Sequence, residues 1–323
     1  MTYTRKVASM KAVLVEEYGP PEVLQIGQIP TPMIGDGQIL VKVMAAAITV
    51  ADSRLRAARF PRGFGILARL VFGVRRPRRA VPGSMFSGVV VDACPAAGFH
   101  IGDEVVGSTG LAAGSHAEFV AVDATRVVTK PDAVNHVDAA GVMFGGTTAL
   151  HYLRVKAALA DGDRVLVIGA SGAVGTSAVQ IASLRGAHVT AVTSAANADL
   201  VRRLGADEVV DYRVTAPTDL TGRFDVVFDT VGGLTAQSGR RLLTSRGRLL
   251  LAAATLGQTA LAVGRVKAGP APEHPRYFTE LLDLVAHRDL KVVLDQVVGF
   301  DGLIEAHRRI DSGRKVGNIV LTP

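Results

Sequence analysis

Short apolar runs rich in β-branched residues alternate with glycine and proline turns over the first 130 residues, at 12–15, 38–44, 88–92, 104–107 and 116–122. Runs of this length between turn signals predict antiparallel strands and a barrel-like domain. After Lys130-Pro131 the pattern changes to helix-like stretches alternating with continuous apolar runs, from Asp138 to about Ala254. That alternation predicts a doubly wound parallel sheet. Its strands are expected at 164–168, 188–193, 208–212, 224–229 and 248–252, with helices such as 172–184 and 198–204 between them. Residues 264–275 read as a linker. The tail adds a helix at 278–287, a strand at 291–298, a helix at 303–312 and a last strand at 317–321. Because Met10 opens the first strand-like run, residues 1–9 read as a loose extension.

Composition narrows the class. The chain has 323 residues, enough for about two domains, and 48% of them are apolar. Cys94 is the single cysteine, which removes an internal disulfide, every Cys-rich zinc module and any Cys-x-x-Cys redox site. The eight histidines show no ligand-like spacing and read mostly as surface residues. No signal-peptide h-region or uninterrupted apolar span is present, so a soluble, cytoplasmic protein without a membrane partner is expected. The net charge of +7 is local: nine arginines and no acid lie between Ser53 and Ala80, while the rest of the chain is close to neutral. With only Phe60, Phe64 and Phe72 among them, they do not form the spread basic and stacking surface that nucleic acid requires. A solvated basic loop, or a site beside an anionic substrate or partner, remains.

The sharpest chemistry lies at Arg164-Val-Leu-Val-Ile-Gly169-Ala170-Ser171-Gly172-Ala173-Val174-Gly175, a buried strand, a glycine turn and a helix. That context makes the glycines a dinucleotide fingerprint: Gly172 admits a pyrophosphate close to the backbone, Gly175 permits tight helix packing, and the helix start offers free N–H groups. Ala170 stands at the first glycine of the usual pattern. The second strand ends in Thr193-Ser194 and is followed by Asn197, without the carboxylate that selects NAD. Hydroxyl and amide donors there favour NADP(H).

With Met10-Lys-Ala-Val, Glu22-Val-Leu, Val81-Pro-Gly-Ser, Gly102-Asp-Glu-Val, His116-Ala-Glu-Phe, Gly146-Thr-Thr-Ala-Leu, Leu204-Gly-Ala-Asp207 and Lys315-x-Gly-Asn in the same order, the chain resembles the zinc-free quinone oxidoreductase branch of the medium-chain dehydrogenase/reductase family. The resemblance runs from about Met10 to Pro323. It implies an α/β protein with a GroES-like β-barrel catalytic domain, residues 1–130 completed by 270–323. It also implies a Rossmann NADP(H)-binding domain at 131–269, a cleft between the two, and a homodimer.

Zinc-dependent relatives carry Cys where Thr49 stands and His-Glu where Ser84-Met85 stands, so no metal is expected. Hydride would pass from NADPH to a small acceptor already polarised by conjugation, a quinone or an enone. Thr49 is the candidate to polarise its oxygen. Asp52 is either a helix cap or an acid of the active cleft, and no tyrosine beside it names a general acid. The resemblance further points to Thr148 and Val231 at the nicotinamide, Tyr212 by the adenosine phosphate, and Arg314 or Lys315 against the 2′-phosphate. Two alternatives stay open: an enoyl reductase whose substrate rides on an acidic carrier protein, and a nucleotide-binding redox sensor with little turnover.

Overall fold

The computed structural model describes residues 9–323, so the expected loose extension lies outside the described residues except for Ser9. Strands β1 (Ser9–Val15) and β2 (Leu24–Pro30) form an antiparallel ribbon. They lead into β3 (Gln38–Ile48), helices α1 (Val50–Arg56) and α2 (Gly65–Phe72), then β4 (Met85–Ala93), β5 (Glu104–Ser108), β6 (Phe119–Asp123) and β7 (Val127–Thr129). β3 runs four residues past its expected end. The alternating burial of its first half gives way to Ala45–Ile48, buried on both faces, and such a covered stretch has no period for a sequence to show.

Helix α3 (His136–Leu150) crosses from this sheet to the next and is buried nearly all round. The parallel part follows: β8 (Arg164–Ile168), α4 (Ala173–Leu184), β9 (His188–Thr193), α5 (Ala198–Arg203), β10 (Glu208–Asp211), β11 (Phe224–Asp229), α6 (Ala236–Arg241), β12 (Leu243–Leu251), α7 (Leu256–Ala260) and β13 (Val266–Lys267). Val165, Leu166, Val167 and Ile168 of β8 are all buried, as a central parallel strand requires. The sheet order is β10-β9-β8-β11-β12-β13. It reverses direction between β8 and β11, and open sheets of this type bind ligands beyond the carboxyl ends of the strands at that point.

The expected linker 264–275 is corrected here, since β13 within it pairs with β12 through Val266 and Leu249 and closes the sheet. Two residues are too few to declare a strand by pattern. The tail supplies α8 (Pro275–Ala286), β14 (Leu294–Val298), α9 (Leu303–Asp311) and β15 (Asn318–Leu321). β15 pairs antiparallel with β3, so the chain end completes the first sheet, in the order β14-β15-β3-β4-β5-β7 with β6 also on β3.

The surface reading of the histidines fails at two positions. His116 and His307 are fully buried; His116 Nε2 meets the Ala47 carbonyl at 3.0 Å. Neither ring nitrogen of His307 has a hydrogen-bond partner among the described residues. Burial holds the His307 imidazole well below its usual 6.5, opposed by the charge of Asp52 and aided by His116 and Arg56. The unfolded chain therefore binds this proton more readily than the native one, and stability is lost as pH falls below about 6.5. Thermal melting should show that loss, and His307→Phe should flatten the melting temperature across the same window. An unchanged slope in the variant would place the acid sensitivity elsewhere.

Candidate active site

The turn after β8 is shaped by two glycines. Gly169 has φ of +79°, and a Cβ on Gly175 would lie 2.1 Å from the Gly169 carbonyl oxygen. α4 can therefore start directly against the strand end. Gly172 is its N-cap and offers no side chain, which leaves the first-turn N–H groups of a twelve-residue helix available to a ligand. In front of Gly172 the space is open, the nearest atom to an added Cβ being the Gly169 oxygen at 3.5 Å. A pyrophosphate therefore fits here. Ala170 is buried beneath the turn, and its N–H donates to Val192 at 3.1 Å.

Ser171 links the turn to the end of β9. Its Oγ accepts from Thr193 Oγ1 at 2.9 Å and from Asn197 Nδ2 at 3.1 Å. Thr193 and Asn197 are thus spent on orienting Ser171, while the Ser171 and Ser194 hydroxyl protons have no acceptor among the described residues. Tyr212 N donates to the Thr193 carbonyl, and the exposed Tyr212 ring lies 5.9 Å below the Arg213 guanidinium. Arg213 escaped the sequence reading because it lies one residue past the strand. Ser171 O also accepts from Gly317 N at 2.8 Å, so the turn before β15 is tied to the glycine turn.

Opposite stands the wall made by β3 and α1. Thr49 is the N-cap of α1 and Asp52 its partner in a capping box: Asp52 Oδ2 accepts from Thr49 N at 2.8 Å and from Thr49 Oγ1 at 2.6 Å. The other oxygen of Asp52 accepts from Gly83 N at 3.1 Å. The expectation that Thr49 points a donor at the acceptor is corrected by this geometry, since its proton is committed to Asp52. Asp52, buried behind Thr49, positions the wall and does not line the cleft. α1 is itself pinned to α9, where buried Arg56 donates to Asp311 at 2.5 Å and to the Gly19 carbonyl at 2.7 Å.

Between the two walls lies a cleft of about 560 Å³. Of the residues singled out from sequence, Thr49, Thr148, Gly172, Ala173, Val174, Val231 and Lys315 line it; Asp52, Gly169, Ala170, Ser171, Gly175, Thr193, Ser194, Asn197, Tyr212 and Arg314 do not. Val231 is presented by a loop that Asp229 holds, its carboxylate accepting from the N–H groups of Val231, Gly232 and Leu234 at 3.0, 2.8 and 2.7 Å. The Thr148 hydroxyl donates back to the Phe144 carbonyl at 2.9 Å. Its neighbour Thr147 also lines the cleft, and its buried hydroxyl has no partner among the described residues.

Three side chains of the cleft escaped the sequence reading. Glu273, inside the supposed linker, accepts from Ser108 and pairs with Arg126 at 3.4 Å. Tyr152 donates to the Gly269 carbonyl at 2.5 Å, and burial pushes its phenol up to about 12. Arg54 projects from α1 into the cleft with no hydrogen-bond acceptor among the described residues, and desolvation lowers its pKa. It was hidden as one of nine arginines. Lys315 donates to the Gly317 carbonyl, and burial lowers its amine to about 8.

Residues 35–132 match the alcohol dehydrogenase GroES-like domain, and residues 204–321 the zinc-binding dehydrogenase domain. The mouse mitochondrial NAD(P)H oxidoreductase RTN4IP1 is 30% identical, over 99% of this chain and 91% of its own. The chain belongs to the medium-chain dehydrogenase/reductase family. Within that family, tomato 2-methylene-furan-3-one reductase is 28% identical over 98% of this chain and 80% of its own. The structure of the quinone oxidoreductase from Coxiella burnetii superposes with a TM-score of 0.87 at 25% identity, covering 98% of this chain and all of the other. The protein is thus a quinone-oxidoreductase-like member of the family, an oxidoreductase that uses a nicotinamide cofactor.

Proposed function

We propose that the protein is a zinc-independent, NADPH-dependent reductase of quinones or α,β-unsaturated carbonyl compounds. The observation that carries this reading is the donor inventory of the cleft: its hydroxyl, phenol, amide and lysine donors are largely committed to the protein, and the Arg54 guanidinium is uncommitted. Among the described residues no group of three His, Cys, Asp or Glu side chains is placed to hold a metal, and Thr49 and Met85 occupy the wall. An unactivated alcohol finds no group here to ionise it. A conjugated acceptor needs none, because its own π-system accepts the hydride and moves the charge to oxygen.

In this reading residues 131–269 hold the cofactor and the flanking parts of the chain shape the acceptor side of the cleft. Residues 172–174 would receive the pyrophosphate, and the Thr147 hydroxyl and the Val231 loop would meet the nicotinamide end. When bound, the reduced nicotinamide supplies the hydride. Met85, Phe144 and Ile310 keep water from the acceptor. Arg54 takes up the negative charge that develops on the acceptor oxygen, and solvent at the cleft mouth completes the protonation.

The test is oxidation of NADPH by the chelator-treated protein with phenanthrenequinone and a 2-alkenal. Turnover on either supports the reading, and tight NADPH binding with no turnover would overturn it. Cofactor choice is tested separately: Ser194→Asp should raise the KM for NADPH about tenfold or more and spare NADH, since a carboxylate repels the 2′-phosphate. An unchanged ratio would place the 2′-phosphate away from β9. For Lys315, the ammonium form is present below about 8 and lost above it. The KM for NADPH should therefore climb as pH rises through that value, and Lys315→Arg should remove the climb.

A further inference from the structure

α2 is an apolar helix that leaves most of its aliphatic side chains uncovered, although Phe72 stacks on Phe60 and Arg69 lies over the Tyr18 ring. Of its eight residues only Ala68 is buried; Ile66 is 80% exposed, and Leu67, Leu70 and Val71 stand in solvent with it, as does Val74 beyond the helix. The chain then doubles back. Gly73 has φ of +124°, Arg78 N donates to the Phe72 carbonyl at 2.7 Å, and Arg69 Nη1 reaches the Val74 carbonyl at 2.8 Å. Arg75, Arg76, Arg78 and Arg79, all exposed, follow directly on the exposed aliphatic residues of the helix. Arg75, Arg76 and Arg78 rim a shallow basic depression with Val15, Glu16 and Ala80.

We infer that residues 65–79 dock the protein on an anionic lipid surface. From Gly65 to Ala80 the only polar side chains are arginines; there is no Ser, Thr, Asn, Gln, Tyr, Trp, Asp or Glu. Specific protein interfaces place both donors and acceptors around an apolar centre, and the side chains of this segment offer guanidinium donors alone. Aliphatic residues flanked by arginines are instead the composition of helices that lie in a bilayer interface, the apolar side chains among acyl chains and the cations on phosphates. A second copy of the chain would bring arginine cluster against arginine cluster, which like charge opposes. The inference departs from the expectation of no membrane partner, and it requires no crossing: among the described residues no helix is long and apolar enough to span a membrane. It does not depend on which acceptor the cleft reduces.

The segment is anchored where it leaves the cleft. Phe60 stacks on Phe72 with ring centroids 6.0 Å apart, and Leu256 N donates to the Arg62 carbonyl at 2.9 Å. These two contacts tie down the stretch that leads into the helix, one of them against the start of α7.

The experiment is co-sedimentation of the full chain with phosphatidylcholine vesicles, with and without phosphatidylglycerol. Binding is expected to the anionic vesicles only and to fall as salt rises. The paired variants Ile66→Asp/Leu70→Asp and Arg75→Glu/Arg76→Glu should each lower the bound fraction about tenfold, with thermal melting and NADPH oxidation unchanged. Because both pairs are exposed, misfolding is not the expected result, and the melting curve monitors it. No vesicle binding, equal binding to neutral vesicles, or retention by both variants would overturn the inference. So would a wild-type dimer that the Ile66→Asp/Leu70→Asp variant alone dissociates in sedimentation velocity, or salt-sensitive binding to an acidic carrier protein without binding to vesicles.

Discussion

Arg54→Gln is expected to lower kcat for phenanthrenequinone and for a 2-alkenal by about 10²- to 10³-fold, the usual effect of deleting one donor from a developing oxyanion. The KM for NADPH should change little. The other donors of the cleft are already engaged: Thr49 donates to Asp52, Tyr152 to Gly269, Asn318 to Val293 and Lys315 to Gly317. None of them can turn to the acceptor without breaking a bond that holds a wall of the cleft. Arg54 has no such bond to break, and its partly desolvated charge acts through a weaker screen than bulk water provides. Arg54→Lys should recover part of the rate, because a positive charge survives without the planar fork. A kcat within about threefold of the parent would remove Arg54 from the chemistry. A raised KM for NADPH at constant kcat would assign the guanidinium to the cofactor instead.

The second large effect separates fold from site within one turn. A methyl group at Gly175 would lie 2.1 Å from the Gly169 oxygen and 2.7 Å from the Ala170 Cα, both backbone atoms that cannot swing away. Gly175→Ala should therefore destabilise the protein by about 1–3 kcal/mol and abolish NADPH binding at once. Gly172 contrasts with it, since an added methyl there meets only the Gly169 oxygen, at 3.5 Å, and otherwise enters open cleft. Gly172→Ala should leave the melting temperature within a degree or two while weakening NADPH about tenfold or more. If Gly172→Ala binds NADPH as the parent does, the pyrophosphate lies elsewhere and the fingerprint is structural only.

Most of the parallel sheet was legible in the sequence, but β12 begins at Leu243, five residues before its expected start at 248. β8, β9 and β11 span 164–168, 188–193 and 224–229 as expected, because a strand covered on both faces shows as a short, mainly apolar run. The glycine turn was legible for the same local reason. Elements whose limits depend on distant cover were not. The end of β3 is set by β15, nearly the whole chain away, and β13 exists because Leu249 and Leu250 offer it an edge.

The site divided along the same line. Gly172, Ala173 and Val174 could be placed from sequence because their role follows from the strand, turn and helix that contain them. The same sequence offered Thr49 as an acting group and left Asp52 between helix cap and acid, and the folded chain shows each satisfying the other in a capping box. Which arginine of nine faces the cleft, which of two adjacent threonines is left unpaired, and whether Arg314 or Lys315 turns inward depend on side-chain direction at the meeting of α1, α3 and the last strand. Periodicity and composition determined that this chain has a barrel-like sheet, a dinucleotide turn and an uneven charge. That Thr49 is bonded to Asp52, that the Thr147 hydroxyl has no partner among the described residues, that Arg54 faces the cleft and that α2 stays exposed were decided by tertiary packing, since a hydrogen bond spent on a neighbour is a property of three-dimensional contact and leaves no mark on the order of residues.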